Sequence, residues 1–594
     1  MLVNRDAICC QLGRLQEVVA LLGEAERADA ETRGAYLSEA LQRLREAEEA
    51  AKEALEDPER FTLAQIAKTW QSVVTNALHA AREGGARLAM GLGSQRVLPL
   101  EEVVVQLWVE NRGPGLATGV VAEILPSEEY EVGENGRVEL GPLVAGERRE
   151  VDFKIRPGEG REELHLKFEV KYRDRSRREQ REPFVDRMYV REELPPFVKI
   201  DNPYVAGVAL KRGSPLFFGR EDVFEFIRRN VGGAAGGKRV LLLLGERRTG
   251  KTSILKQLPG WLKDERYVHV FFDCQSLTGS GMAGFFLRLS SAIVQGLEEA
   301  GLPVEGLSLA PGDLGDQPQH VFDEEFLPQV WEQIGDRSLL LAVDEFEALE
   351  TRVQEGGLEP AVFPYLRALM QSQERMAFIF AGTHRMEELT SDYWSTLFNI
   401  AKVKRVSFLD RESAVRLITG PVQPYGVVYD DLAVAEILRL TAGHPYFLQM
   451  VCDALIEHCI DLERNYVTIQ DVQDVRDEIT GQGRMHLLFV WKESFREEKA
   501  VLAALVNLMR LQQRVTPTDI VRHLAEHSSN LTDYTYFDSG AVARALGRLI
   551  NREIIEETSD DLPSYVFTTG LYGELIARYK SLYRVIPELI DETA

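Results

Sequence analysis

The stretch VLLLLGERRTGKTSILKQL, residues 240–258, decides the fold. Val240 to Leu244 is a short, wholly apolar run that reads as a buried strand, and Ser253 to Leu258 reads as the start of a helix. Between them GERRTGKT fits G-x-x-x-x-G-K-[ST] in the strand–loop–helix context that this motif requires. Gly245 and Gly250 let the backbone curl so that several N–H groups face one anion, and the helix N-terminus adds its partial positive charge. The loop, including Arg248, Thr249 and Ser253, is therefore expected to hold the phosphates of ATP. Lys251 is expected to set its ammonium between the β- and γ-phosphates as a catalytic group, and Thr252 to offer its hydroxyl to Mg²⁺.

Working outward, a second apolar run, Leu339 to Val343, ends in Asp344-Glu345, 94 residues beyond Gly250. A parallel strand would present these carboxylates at its C-terminal edge, with Asp344 holding Mg²⁺ through water and Glu345 polarising the attacking water. A third run, Ala377 to Ala381, ends in Gly382-Thr383-His384-Arg385. Thr383 or His384 is a candidate contact for the γ-phosphate or the lytic water, the alternative being a capped turn. Arg385 is either an arginine finger toward a neighbouring subunit or an exposed structural arginine.

The rest of the chain divides by periodicity. Residues 1–92 are rich in Ala, Glu, Leu and Arg at helical spacing, with a break at Asp57-Pro58 and a cap at Thr62, and predict a helical hairpin. In residues 93–196 the period becomes two, as in Val103, Val105, Leu107 and Val109, followed by the turn cluster Asn111-Arg-Gly-Pro-Gly115. Further strand candidates run to Val190, and an immunoglobulin-like β-sandwich fits them best. After Pro195-Pro196 the order strand, loop, helix repeats, as in an α/β domain with a parallel sheet over 197–420. Residues 421–485 predict a helical lid and 486–594 a winged helix. The expected fold class is thus multidomain α/β plus all-β.

The ordered segments NPYVAG (202–207), FFGRED (217–222), GERRTGKT, LLLAVDEFEAL, FIFAGTHRMEEL and TAGHPYFLQ (441–449) resemble a bacterial STAND-type ATPase of the AAA+-related class, similar to archaeal ATPases and origin-recognition initiators. The resemblance covers about residues 198–580. It implies that Phe218, Gly219 and Arg220 lie near adenine and ribose, and that Pro445 packs on the nucleotide from the lid. His444 is either a phosphate sensor or structural. No effector segment and no internal repeat accompany these motifs, which departs from the family pattern. A place in bacterial defence is an expectation of the resemblance alone.

A formal charge of −25 disfavours general contact with nucleic acid. In 486–594 Arg544, Arg548 and Arg552 recur at i, i+4 and i+8 and form a stripe suited to duplex DNA, although acidic residues outnumber basic ones there. Five cysteines without metal spacing read as reduced thiols, and the absence of a long apolar segment predicts a cytoplasmic protein with no membrane contact. Two functions remain open. One is a slowly hydrolysing switch in which ATP or ADP sets the domain arrangement, signalling to a protein partner or through self-association. The other is a DNA-associated ATPase of initiator or transposition-regulator type. A small-molecule kinase is a third reading, which the DE pair and the GHP segment disfavour.

Overall fold

In the computed structural model the chain forms two compact units, Met1–Leu194 with Asp430–Leu432, and Pro195–Tyr429 with Ala433–Ala594. The structure describes residues 3–27, 30–54, 63, 66–75, 77, 85–113, 115–174, 179–191, 193–231, 240–277, 281–383, 401–511, 514–528, 537–558, 563–580, 582 and 585. Among them no helix is long and apolar enough to cross a membrane.

The first unit opens with two helices, Val3–Arg27 and Ala30–Ala54, packed on each other. Leu15 and Val18 meet Leu37, Leu41 and Leu44 in their seam, as the helical spacing of those residues requires. The first helix ends at Arg27 and the second begins at Ala30; the expected break at Asp57-Pro58 and the cap at Thr62 lie outside the described residues. Among the described residues, nine strands follow in two sheets, ordered β1-β3-β7-β5 and β2-β9-β8-β4-β6. They are β1 (Leu88–Leu92), β2 (Arg96–Val97), β3 (Val103–Asn111), β4 (Ala117–Ile124), β5 (Tyr130–Val132), β6 (Arg137–Leu143), β7 (Arg148–Pro157), β8 (Glu163–Arg173) and β9 (Glu179–Val190). All pairings are antiparallel except β2 with β9.

Alternation places Val105, Leu107 and Val109 of one sheet and Leu166, Phe168 and Val170 of the other in a single core. Phe153 and Phe168 close the seam between the sheets, with ring centroids 5.5 Å apart. The turn after β3 is held by buried Asn111, whose amide donates to Gly115 O (2.7 Å) and Leu143 O (3.0 Å) and whose Oδ1 accepts from Gly113 N (3.0 Å). A buried side chain that satisfies this many backbone groups fixes the turn. Because β1 pairs with β3, the sheet begins ahead of the boundary expected at residue 93.

The second unit is built on a five-stranded parallel sheet ordered β11-β12-β13-β10-β14. Its strands are β10 (Val240–Leu244), β11 (Tyr267–Asp273), β12 (Ser338–Asp344), β13 (Met376–Gly382) and β14 (Lys402–Arg405). Helices cover both faces, so the central strands are apolar throughout: Val240, Leu242 and Leu244 enter one core, Leu241 and Leu243 the other. The register aligns Asp273 with Asp344, Asp344 with Ala381, and Leu244 with Gly382, which gathers the three expected strand ends on one edge. β13 lies between β10 and β12, so the carboxylate strand stands one strand away from the phosphate-loop strand.

Beyond the sheet come helices Arg411–Thr419, Pro445–Asp461 and Ile469–Asp474. Helix Arg476–Glu493 runs unbroken through the domain boundary expected between 485 and 486. Helices Arg496–Leu511, Pro517–Ser528 and Ser539–Asn551 follow, then an antiparallel ribbon of Ile555–Thr558 with Ser564–Phe567, and helix Gly570–Tyr579. One continuous apolar core joins residues as distant as Phe447, Leu505, Leu546 and Tyr572. The lid and the C-terminal helices are therefore not separately packed.

Candidate nucleotide site

The loop after β10 has the geometry its glycines and sheet neighbours impose. Gly245 donates its N–H to Gly382 O (3.2 Å), and a Cβ there would stand 2.3 Å from Val406 O. Gly250 sits at φ +95° immediately before helix Lys251–Trp261, a conformation that glycine takes without strain. Arg248 is also left-handed, at φ +64°. Thr249 Oγ1 donates to Glu246 O (2.8 Å), and Lys251 Nζ donates to Gly245 O and Glu246 O at 2.9 Å each. The buried ammonium is thus held across the mouth of the loop by carbonyls, bonds it can exchange for phosphate oxygens.

The carboxylates of Asp273, Asp344, Glu345 and Glu347 gather at the sheet edge. Burial, followed by the nearby Glu345 charge, raises the pKa of Asp344 to about 6. Its Oδ1 is shut off from solvent with no hydrogen-bond partner. An oxygen-only pair with one orphaned oxygen suits a hard divalent cation, so Thr252 and Asp344 fit Mg²⁺. Glu345, strained at φ +49°, accepts from Gln275 Nε2 at 3.3 Å. Glu347 Oε1 accepts the Thr383 N–H at 3.3 Å while its Oε2 has no partner, and burial pushes its carboxyl above the usual range. Thr383 is thereby tied to the carboxylate strand; His384 and Arg385 lie outside the described residues.

A cleft of ≈ 250 Å³ joins this loop to the lid. Arg248, Thr249, Gly250, Lys251, Thr252, Ser253 and Glu345 line one part, and Phe218, Arg220 and Pro445 also reach it. Gly219 does not; it sits at φ +67°, where a Cβ would meet Ser413 at 3.0 Å. Arg220 donates to Ser407 O (2.7 Å) and Thr249 O (2.8 Å), so its guanidinium fastens the loop instead of standing free beside a ribose. Burial lowers its pKa to about 10. His444 is fully buried and walled by Phe408, Phe447 and His486, and it is not among the lining residues, which removes the phosphate-sensor reading.

Motif reading missed several residues. Gly207 to Leu210 and Tyr446 line the cleft, and Gln449, inside the TAGHPYFLQ segment, lines it as well. Arg248 lies 4.2 Å over the Tyr446 ring, a cation–π contact that joins loop to lid. A larger omission concerns the arginine stripe. Arg552 donates to Glu246 Oε1 (3.1 Å), Glu498 Oε2 (2.9 Å) and Ser494 Oγ (3.3 Å), and is buried. Arg548 Nε donates to Glu498 Oε1 at 2.6 Å. Only Arg544 of the three is exposed, so the stripe is not a phosphate-binding surface.

A family model described as AAA domain matches residues 234–390. No curated protein matches the chain. Solved structures that it is similar to include the Walker-type ATPase of Pyrococcus abyssi, at 19% identity and TM-score 0.44, covering 61% of this chain and 96% of that one. Cdc6p from Pyrobaculum aerophilum is 15% identical with TM-score 0.33, covering 67% and 99%. The Aeropyrum pernix ORC1 protein in complex with DNA is 15% identical with TM-score 0.32, covering 62% and 94%. With the loop, the carboxylate edge and the matched segment together, the chain carries an AAA-type P-loop ATPase domain.

Proposed function

We propose that this ATPase is a STAND-type switch in which the nucleotide state of the cleft governs whether the C-terminal helices stay attached to the phosphate loop. The observation that carries this reading is the buried pair between Arg552 and Glu246, the second residue of the loop. A second contact reinforces it: Arg247 Nε lies 3.3 Å from Glu493 and its guanidinium 5.1 Å from the Phe489 ring. Any rearrangement of the loop around a γ-phosphate is therefore felt by helices 230 or more residues away in sequence.

In this reading Lys251 and the N–H groups of residues 248–252 bind the phosphates, and Thr252 and Asp344 hold Mg²⁺. Mg²⁺ held there would neutralise negative charge on the phosphates. Glu345, steadied by Gln275, orients the attacking water and accepts its proton. Thr383, held by Glu347, faces the same edge as a candidate for the lytic water or γ-phosphate. The two-sheet module of the first unit serves as an immunoglobulin-like docking element, and the C-terminal helices with their ribbon as a winged helix that doubles as the latch. The test is pre-steady-state release of a fluorescent ADP analogue. Glu246→Gln should release ADP at least several-fold faster than wild type; unchanged release with intact folding overturns the latch.

A second reading, a DNA-associated ATPase, keeps one observation in its favour. Ala543, Arg544 and Gly547 form an exposed, low-relief face on helix Ser539–Asn551, a shape that can approach a duplex groove. Fluorescence anisotropy with duplex DNA at two salt concentrations decides it. Salt-sensitive binding that Arg544→Ala weakens would favour this reading.

A further inference from the structure

The cleft has a phosphate end, defined by the loop, and an apolar end walled by Val208 to Leu210, Leu417 and Tyr446. The cationic side chains that line it are Arg220, Arg248 and Lys251. Arg220 is committed to Ser407 O and Thr249 O, and Lys251 to Gly245 O and Glu246 O. Arg248 is different. It is exposed, no carbonyl or carboxylate among the described residues accepts from its guanidinium, and what it meets instead is the Tyr446 ring, 4.2 Å away.

Two neighbours fix where that guanidinium stands. A Cβ on Gly207 would lie 3.1 Å from Arg248 Nη1, and the Tyr446 ring is backed by the His486 ring at 5.3 Å. Gly207 and Tyr446 both belong to the cleft wall, so the charge sits where the loop meets the apolar end. The Arg248 backbone is left-handed at φ +64°, strain of a kind that gathers at ligand sites. Stacking on an aromatic face orders the planar fork while leaving its N–H donors unused, and a guanidinium so placed in an anion-binding cleft suits a phosphate. We infer that the Arg248 side chain binds the α-phosphate of the nucleotide, with Tyr446 as the positioning residue that holds it there. The α-phosphate is the group that every nucleotide must place at the junction between base and loop. Because Tyr446 belongs to helix Pro445–Asp461, this contact also ties the lid to the bound nucleotide. The inference rests on the reading of the cleft as the nucleotide site.

The test is displacement of a fluorescent ADP analogue from the full chain by ADP, AMP and adenosine, for wild type, Arg248→Lys, Arg248→Met and Tyr446→Leu. Arg248→Met keeps the bulk of the stem and removes the charge. It is expected to weaken ADP and AMP alike by about 10-fold, while adenosine, which carries no phosphate, competes as it does with wild type. Arg248→Lys keeps the charge and should lose less. Tyr446→Leu also alters the base wall, so its part is read from the double variant: Arg248→Met should cost ADP less in the Tyr446→Leu background than in wild type. Arg248 is exposed, and melting temperatures check that each variant folds. Equal weakening of ADP and adenosine would make Arg248 a wall of the cleft only, and weakening of ADP without AMP would put its charge on the β-phosphate; either overturns the inference, as does unchanged ADP affinity. An equal cost of Arg248→Met in both backgrounds would overturn the role of Tyr446. Failure of wild type to bind the ADP analogue would instead overturn the assignment of the cleft itself.

Discussion

Arg552 and Glu246, 306 residues apart, form a buried ion pair with Nε 3.1 Å from Oε1. Arg552 Nη1 donates to Glu498 Oε2 and Ser494 Oγ, so the charge on Arg552 is shared between the phosphate loop and helix Arg496–Leu511. Arg552→Ala would strand the carboxylates of Glu246 and Glu498 out of water. Removing one partner of a buried pair costs about 3–5 kcal/mol. The expected outcome is a clear fall in melting temperature, larger than that of Glu246→Gln, which keeps a hydrogen-bonding group and removes the charge.

Binding and hydrolysis should separate at the two ends of the catalytic edge. Lys251→Ala removes a charged donor from the phosphates and should weaken nucleotide binding by roughly 10- to 100-fold, since hydrogen bonds to charged groups contribute about 1.5–3 kcal/mol. Glu345→Gln keeps shape and the contact with Gln275 and loses only the base. Binding should be retained, while phosphate release falls by about 10²–10⁴-fold. Nucleotide titration and steady-state phosphate assays on the same preparations distinguish the two.

The phosphate loop and the carboxylate edge were legible because each is local: an apolar run sets a strand, and the residues at its end set the chemistry. Asp344, Glu345 and Thr383 arrive on one edge for that reason. The arginine stripe misled because spacing of i, i+4 and i+8 assigns residues to one helix face without saying what that face meets. Glu498 and Glu246 come from elsewhere in the chain and turn Arg548 and Arg552 into internal ion pairs. The limit expected between residues 485 and 486 failed for a related reason, whereas the one at 196 lies within two residues of the division between the units. Helix Arg476–Glu493 continues through Gly481 and Gly483, and the apolar residues on either side of position 485 feed one core, a pairing that carries no local signal. Gln449 was in view within its motif, yet that it lines the cleft is something only packing reveals.

Two buried groups should shape the pH dependence of stability in opposite senses. Burial first, and then the charge of Glu345, raise the Glu347 pKa above its ordinary 4.5, so the folded chain keeps a proton that the unfolded chain releases as pH rises past that value. Stability from this group falls with rising pH. His486 is pushed by burial, and then by Arg248 and Arg247, down to about 3. The unfolded chain therefore binds the extra proton between pH 6.5 and 3, and stability falls as pH drops through that window. Glu347→Gln should gain on wild type as pH rises above 4.5, and His486→Phe should recover its deficit as pH falls below 6.5. Melting temperatures of the three proteins across pH 4–8 test both signs; parallel curves would refute them.

Two glycines in the second unit should respond to alanine in opposite directions. Gly443, between the lid helices, holds φ +80°, and a Cβ there would lie 2.2 Å from Leu409 O. The same residues are joined by a hydrogen bond from Leu409 N to Gly443 O at 2.9 Å, so the two backbones cannot separate without losing it. The left-handed conformation alone costs a side chain about 1–2 kcal/mol, and the backbone collision adds to that because no rotamer relieves it. Gly547 is the contrasting case: it lies within helix Ser539–Asn551, is exposed, and a Cβ would meet nothing within 4 Å. Alanine there gains helix propensity of about 1 kcal/mol. Gly443→Ala should therefore melt lower, and bind nucleotide more weakly because Leu409 and Pro445 line the cleft, whereas Gly547→Ala should melt slightly higher with binding unchanged. If both variants moved in the same direction, the close approach of Gly443 to Leu409 would not be what holds the lid against the sheet.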